Sequence, residues 1–461
     1  MIRIFGHYVS KTFLLLGVLE FCFSVLALLG GVYARFDLSL SEVSGLPFIW
    51  TTAALYAALV SSSMLSVGLY QRGMPFSGGV LVRLGLSFAF VGMAMSLLFY
   101  SFPELLLGRG VMALAMAITV VGILLFRALF FRLVGSEARV HRVLVLGAGE
   151  KAGMIEADDV EPQGFDVVGY IRMNEQEQVI PDARLVEKNK PLTDLVVELE
   201  ADELVVAPDD RRQSLPVDEI LDCKMSGITV LDLLTFFEKE ESRIKLDILH
   251  PSWIFFSQGF QLGGIGDYGK RVFDLLLGSL ILLVGLPLMG LVALAVLIES
   301  RGRGSVLFHQ TRVGLNGKLF RVHKFRSMRM DAEADGVARW ARKNDSRITR
   351  VGAFLRKTRL DELPQVFNVL RGEMSLVGPR PERPEFVEKL GQQIPFYHER
   401  HRVKPGLTGW AQLCYQYGST DDDARNKLEF DLYYVKNASL FLDLIVLIET
   451  VEVVLWGKGA H

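Results

Sequence analysis

The sequence predicts a membrane protein in three parts: an α-helical four-span bundle, an α/β domain, and a C-terminal domain with one further membrane-embedded stretch. Three observations predict this division. Mean hydropathy is positive, +0.31, over 461 residues that are 50% hydrophobic and 22% charged, so apolar segments must be accounted for before any soluble core. Four such segments precede residue 135. Finally, residues 301–404 hold 23 Lys and Arg against 11 Asp and Glu, although the whole chain carries only −2. A basic segment flanked by apolar sequence suits phosphate-rich ligands or anionic headgroups, and no nucleic-acid partner is expected. Cys22, Cys223 and Cys414 are scattered without a Cys-x-x-Cys, so neither a disulfide framework nor a zinc site is indicated.

The apolar stretches run over about 13–33, 47–69, 84–102 and 111–133, each near the ~20 residues that cross a bilayer as helix. Basic residues set their orientation. Arg3 and Lys11 precede the first span, Arg72 and Arg83 separate the second and third, and Arg127, Arg132, Arg139 and Arg142 end or follow the fourth. The opposite side holds only Arg35 and Arg109, so both ends of the bundle are expected in the cytoplasm.

Residues 140–262 alternate short strands with helices. Arg142-Val-Leu-Val-Leu-Gly-Ala-Gly reads as a buried strand entering a glycine turn, with a helix from about Glu150 and further strands at 166–171 and 203–207. This resembles a Rossmann-type α/β unit. Gly147, Gly149 and Gly153 approximate the dinucleotide fingerprint without completing it, and a Tyr-x-x-x-Lys pair is absent. A structural or regulatory module and a true nucleotide site both stay open.

The fifth stretch, 272–298, is flanked by Lys270-Arg271 and by Arg301 and Arg303. Positive charge on both sides disfavours a simple crossing. Pro287 near its middle removes a backbone donor and should kink the helix, so a hairpin that enters and leaves one leaflet is expected, with a tilted full span as the alternative. The last stretch, 440–456, carries Asp443, Glu449 and Glu452 and reads as an interfacial or packed helix.

The chemistry is concentrated after Lys270. Phe308-His-Gln-Thr-Arg-Val-Gly-Leu-Asn-Gly-Lys leads into Phe320-Arg-Val-His-Lys-Phe-Arg-Ser-Met. Arg356-Lys-Thr-Arg-Leu-Asp-Glu-Leu-Pro, Met374-Ser-Leu-Val-Gly-Pro-Arg-Pro-Glu and Lys404-Pro-Gly-Leu-Thr-Gly-Trp follow. Asp361 and Glu362 are adjacent carboxylates in this basic setting. On a helix their side chains would diverge by about 100°, allowing one to attack phosphorus while the other holds a metal or moves a proton. Arginines would neutralise the transferred phosphoryl group, and hard oxygen ligands favour Mg2+. The same pair also fits an exposed acidic dipeptide making surface ion pairs.

From Lys270 onward these motifs resemble the monotopic phosphoglycosyl transferases, or bacterial sugar transferases. The whole chain is similar to their large form, with domains at 1–138 (four spans), 139–262 (Rossmann-like α/β) and 263–461 (α-rich catalytic domain, re-entrant helix at about 272–299, break at Pro287). The resemblance implies transfer of a hexose-1-phosphate from a UDP-sugar to undecaprenyl phosphate, with UMP released, at the start of exopolysaccharide, capsule or O-antigen synthesis. It implies Asp361 as nucleophile and Glu362 as Mg2+ ligand or base. Lys324 and Arg326 would bind phosphate, Arg380 the nucleotide, and Lys404 and Thr408 would line the same pocket. Arg356 and Lys357 would hold lipid phosphate or an interface. The implied location is the bacterial inner membrane, with catalysis on the cytoplasmic face and a homodimer compatible. Gly378, Gly406 and Gly409 are expected to shape turns. The competing readings are a membrane-anchored dehydratase, which the missing Tyr-x-x-x-Lys disfavours, and a membrane scaffold or sensor with a nucleotide-binding Rossmann-like domain.

Overall fold

The computed structural model describes residues 2–4, 7–9, 11–36, 42–43, 46–70, 78–133, 141–157, 164–174, 177, 179–209, 215–257, 259–260, 265–330, 347–415 and 420–456. Two of the arginines that set the orientation, Arg72 and Arg139, lie outside them. The chain divides into two compact units, one built from Tyr8–Glu241 and one from Ser242–His461 together with Arg3–His7.

In the first unit the four apolar stretches are helices: α1 (Lys11–Phe36), α2 (Ile49–Ser66), α3 (Gly78–Ser101) and α4 (Arg109–Leu133). Each is long and apolar enough to cross a membrane. Their outer faces expose large apolar side chains, such as Leu26 (63%) and Leu97 (67%), which only a lipid environment accommodates at this density. This is the bundle of a membrane protein. Its interior is apolar around Tyr56, Val60, Met64 and Ala115, and two of its buried polar groups join helices to one another. The Tyr56 hydroxyl meets Thr119 Oγ1 at 2.9 Å. Arg127 donates to both oxygens of Glu20, at 2.6 and 3.1 Å, and to Leu69 O at 2.8 Å, while the Tyr70 hydroxyl also donates to Glu20. Arg127 therefore contributes an interior ion pair between α1 and α4, and not only a charge at a helix end.

The same unit contains a four-stranded parallel sheet of β1 (His141–Leu146), β2 (Phe165–Ile171), β3 (Glu203–Val206) and β4 (Thr229–Asp232), in the order β2-β1-β3-β4. Val143–Leu146 are fully buried, the uninterrupted apolar run that a two-sided sheet requires. The chain steps to one side of β1 and then to the other, which puts a crossover switch between β1 and β3, where α5 (Glu150–Ala157) begins.

The first unit also holds α6 (Leu192–Glu198), α7 (Val217–Met225) and α8 (Leu233–Glu241), and the second, after a short helical turn at Pro251–Phe256, contains α9 (Ile265–Glu299). The helix runs without interruption through Pro287, so the expected break is not an end of helix. A proline forfeits one hydrogen bond and crowds the preceding turn, which a long helix survives. Near its start, Lys270 pairs with Asp443 at 2.5 Å and Arg271 donates to Val369 O and Leu370 O at 2.6 Å. The buried Asp274 accepts from the Ser375 hydroxyl at 3.0 Å. Near its end, Val292 and Val296 pack with Phe325 and Leu355, and Glu299 accepts from Val351 N at 2.9 Å. No residue between Gly278 and Val292 is buried, and Leu283 and Val284 are 73% and 71% exposed. Both ends of the helix thus pack within one unit, while none of residues 279–291 is buried by the described residues.

That domain comprises the hairpin β5 (Leu307–Val313) and β6 (Leu319–Phe325), then α10 (Arg350–Lys357), α11 (Val366–Arg371), β7 (Ser375–Val377), α12 (Pro384–Gln393), β8 (Gly406–Thr408), α13 (Asp421–Asn437) and α14 (Leu440–Trp456). Strands β7 and β8 pair in parallel, Ser375 with Gly406 and Val377 with Thr408. A Cβ on Gly378, Gly406 or Gly409 would strike backbone of the facing segment, so the Gly-Pro-Arg-Pro and Lys-Pro-Gly motifs meet main chain to main chain. On α14, Asp443 is 1% exposed and also accepts from the Tyr434 hydroxyl at 2.6 Å. Asp443 serves packing.

Candidate active site

Asp361 and Glu362 lie on a 3-10 turn, Leu360–Gln365, entered through Arg359 in the left-handed region (φ 58°, ψ 12°). The expected α-helix is broken before it reaches them. Successive side chains of a 3-10 turn diverge by about 120°, and a left-handed non-glycine residue beside reactive groups is strain of the kind functional sites hold. Glu362 Oε1 accepts from Lys324 Nζ and from Arg380 Nη2, each at 2.8 Å. Burial alone would raise the Glu362 carboxyl, but Arg380 and Lys324 hold it well below the usual carboxylate range. Both bonds fall on one oxygen, so Oε2 is the oxygen left for a further ligand.

Asp361 has the opposite setting. Its Oδ1 is buried without a hydrogen-bond partner. Burial and then the charge of Glu362 push its carboxyl up, against the pull of Lys324, Arg356 and Arg380. A desolvated carboxylate with an unengaged oxygen is poised to react, because no hydrogen bond to that oxygen has to be broken first.

Asp361 opens on a cavity of about 680 Å3. Its lining includes nine Lys and Arg side chains, among them Arg312, Lys324, Arg326, Arg356, Arg380, Arg400 and Lys427, against Asp361, Glu382 and Asp431. Such a concave basic site with a few placed acids suits a polyphosphate ligand. Arg400 organises one wall. It pairs with Asp431 at 2.7 Å and donates to the Tyr397 hydroxyl at 2.9 Å and to Arg380 O at 3.0 Å. Asn368, fully buried, ties the turn region to β6: its side chain donates to Arg321 O at 2.7 Å and accepts from His323 N at 3.2 Å. That bond fixes the register that brings Lys324 to Glu362.

Of the residues singled out in the sequence, Asp361, Lys324, Arg326 and Arg380 line the cavity, and Glu362 bonds two of them. Arg356 lines it too, whereas Lys357 is exposed and does not. Lys404 and Thr408 are not among the lining residues. Thr408 Oγ1 instead meets Thr450 Oγ1 at 2.8 Å, and Lys404 lies within the field of Arg271, Asp274 and Lys270. The parallel β7–β8 pairing carries these two residues away from the cavity. Sequence reading passed over Asn368 and also Arg312, Glu382, Arg400 and Asp431, because single charged residues 31 to 70 positions from their partners carry no local pattern. The one usable signal was Asn368, a polar residue in the apolar run Val366-Phe-Asn-Val-Leu.

The family model described as bacterial sugar transferase matches residues 265–457. The exopolysaccharide production protein PSS of Rhizobium leguminosarum bv. phaseoli is 46% identical over 203 residues, 41% of this chain and 97% of that protein. The chain belongs to the bacterial sugar transferase family. Two other similar proteins carry activities in their names. The UDP-N-acetylgalactosamine-undecaprenyl-phosphate N-acetylgalactosaminephosphotransferase of Aeromonas hydrophila is 43% identical over 244 residues, 52% of this chain and 55% of that protein. The UDP-glucose:undecaprenyl-phosphate glucose-1-phosphate transferase of Escherichia coli K12 is 45% identical over 202 residues, 43% of each chain. The chain spans about half the length of these two relatives, and the family match at 265–457 contains every residue that lines the cavity.

Proposed function

We propose that this membrane protein transfers a sugar-1-phosphate, a hexose or N-acetylhexosamine phosphate, from a UDP-sugar to undecaprenyl phosphate, the step that initiates polysaccharide synthesis. The observation that carries the reading is Asp361, a buried carboxyl with one unpartnered oxygen, among the lining residues of a cavity that holds nine cations. Asp361 attacks the sugar-bearing β-phosphorus; an O–P bond forms and the bond to UMP breaks. A lipid phosphate oxygen then attacks the same phosphorus, giving undecaprenyl-diphosphate-sugar and freeing Asp361. Arg380, Lys324 and Arg326 offset charge on the phosphates.

Mg2+ fits the residues present. Among the described residues no three Asp, Glu, His or Cys side chains converge, which suits an ion that takes most ligands from water and substrate phosphates. Glu362 Oε2 is the protein oxygen we assign to it. Bound there, Mg2+ supplies charge neutralisation at the diphosphate. A carboxyl held well below its usual range is a poor proton acceptor, so of its two roles we assign Glu362 the electrostatic one.

We further propose that α9 is re-entrant, with the catalytic unit on the cytoplasmic face. Its ends, both packed against the same unit, and its exposed apolar middle support this. The β2-β1-β3-β4 order likewise supports a Rossmann-like domain.

The test is UMP release from a panel of UDP-sugars by purified protein with undecaprenyl phosphate and Mg2+. Release is expected with at least one donor and lost by about a thousandfold or more in Asp361→Asn with every donor. Near-normal turnover in that variant removes Asp361 as nucleophile.

A further inference from the structure

The α/β domain carries a glycine turn, Gly147-Ala148-Gly149, ahead of α5 at the crossover switch, the place where an open parallel sheet receives the phosphates of a nucleotide on unpaired amides. Here those amides are already engaged. Asp209, three residues past β3, accepts from Glu150 N and Lys151 N, both at 2.9 Å. Glu177 Oε2 accepts from Ala148 N and Met173 N, both at 3.0 Å. Lys151, the cation of the first turn, donates to Pro208 O at 3.2 Å and Asp209 O at 2.8 Å. A Cβ on Gly149 would collide with the Asp209 carboxylate. The glycine that elsewhere lets a phosphate approach the backbone here admits a side chain.

Charge adds to the obstruction. Glu177 is 2% exposed, and its second oxygen is buried without a partner. A phosphate entering the turn would displace one carboxylate and meet another whose charge is unscreened by any donor on that oxygen.

We propose that Asp209 and Glu177 are built-in anions that occupy the phosphate cradle of this domain, so that it holds β1, β3 and α5 together without a dinucleotide. The inference goes beyond the catalytic reading and stands or falls apart from it, because none of these residues lines the Asp361 cavity.

Hydrogen exchange of full-length protein in nanodiscs, followed in a peptide covering residues 147–157, reads the cradle directly. In the wild type, millimolar NAD+, ADP and inorganic pyrophosphate should each leave exchange unchanged. In Asp209→Asn and Asp209→Ala, exchange at Glu150 and Lys151 should rise about tenfold, the loss expected for a charge-assisted bond, and pyrophosphate should restore protection. Exchange of the β3 peptide, unchanged, shows that the domain is still folded. Protection of the wild-type peptide by any of the three ligands overturns the proposal. So does failure of pyrophosphate to protect both folded variants, which would leave Asp209 an ordinary helix cap.

Discussion

Asp361 and Glu362 share a peptide bond but not an electrostatic state. Glu362 is clamped by Lys324 and Arg380 at 2.8 Å each and held well below the usual carboxylate range, whereas Asp361 is pushed up by burial and by Glu362 itself. Neighbouring carboxyls driven apart in this way divide their tasks, one staying charged as a fixed field and the other reacting.

Replacing Glu362 by Gln keeps its shape and removes its charge. Turnover is expected to fall by about a hundredfold, the scale of losing one placed electrostatic group, with the Mg2+ requirement shifted to higher concentration. Steady-state UMP release across a Mg2+ series checks this. Unchanged Mg2+ dependence would remove Glu362 as the ligand.

The pH profile carries a sign. Asp361 reacts as carboxylate, and its carboxyl lies above the ordinary 3.8, so the acidic limb of kcat/KM should sit above that value. Arg356 pulls the Asp361 carboxyl down and Glu362 pushes it up. Arg356→Gln should therefore move the limb to higher pH and Glu362→Gln to lower pH. Shifts in the same direction would mean that the limb belongs to another group.

Stability has its own window. Glu362, depressed in the fold, contributes stability that is complete above the unfolded glutamate value of 4.5 and lost only as pH falls through its lower folded value. Asp361, raised, works against folding once pH climbs past its unfolded value. Denaturant midpoints of wild type and Glu362→Gln should stay fully apart above pH 4.5 and converge only as pH falls from there through the lower folded value.

Within the bundle, Glu20 and Arg127 have side chains only 1% and 4% exposed. Removing either partner leaves a buried charge, and Glu20→Leu or Arg127→Leu should each destabilise by about 3–5 kcal/mol. The double substitution should recover most of that loss. Thermal unfolding in detergent, run as a double-mutant cycle, measures the coupling.

The re-entrant reading of α9 requires its two flanks on one side. After replacement of the exposed Cys22 and Cys414, Tyr268→Cys and Ser305→Cys should both react with an impermeant thiol reagent in inverted vesicles and neither in right-side-out spheroplasts. Labelling of one from each side would make α9 a span.

Much of this was legible in the chain. The four N-terminal helices announce themselves as apolar runs longer than any soluble core needs, and Asp361, Lys324, Arg326 and Arg380 were reachable through their motifs. Lys404 and Thr408 lie outside the cavity lining, beside and within a β7–β8 pairing across 31 residues at Ser375 and Gly406, a contact that no local pattern announces. Arg400 and Asp431 were invisible for a related reason: a buried pair declares itself only once α13 packs. Arg127 looked like a topological charge because nothing local reveals a partner 107 positions away.

The backbone contact among Gly378, Gly406 and Gly409 has a hereditary consequence. Two stretches of gene more than twenty codons apart encode one solid object, so neither can gain a side chain unless the other gives ground. A library randomised at all three codons, and selected for folding alone, should return glycine at each.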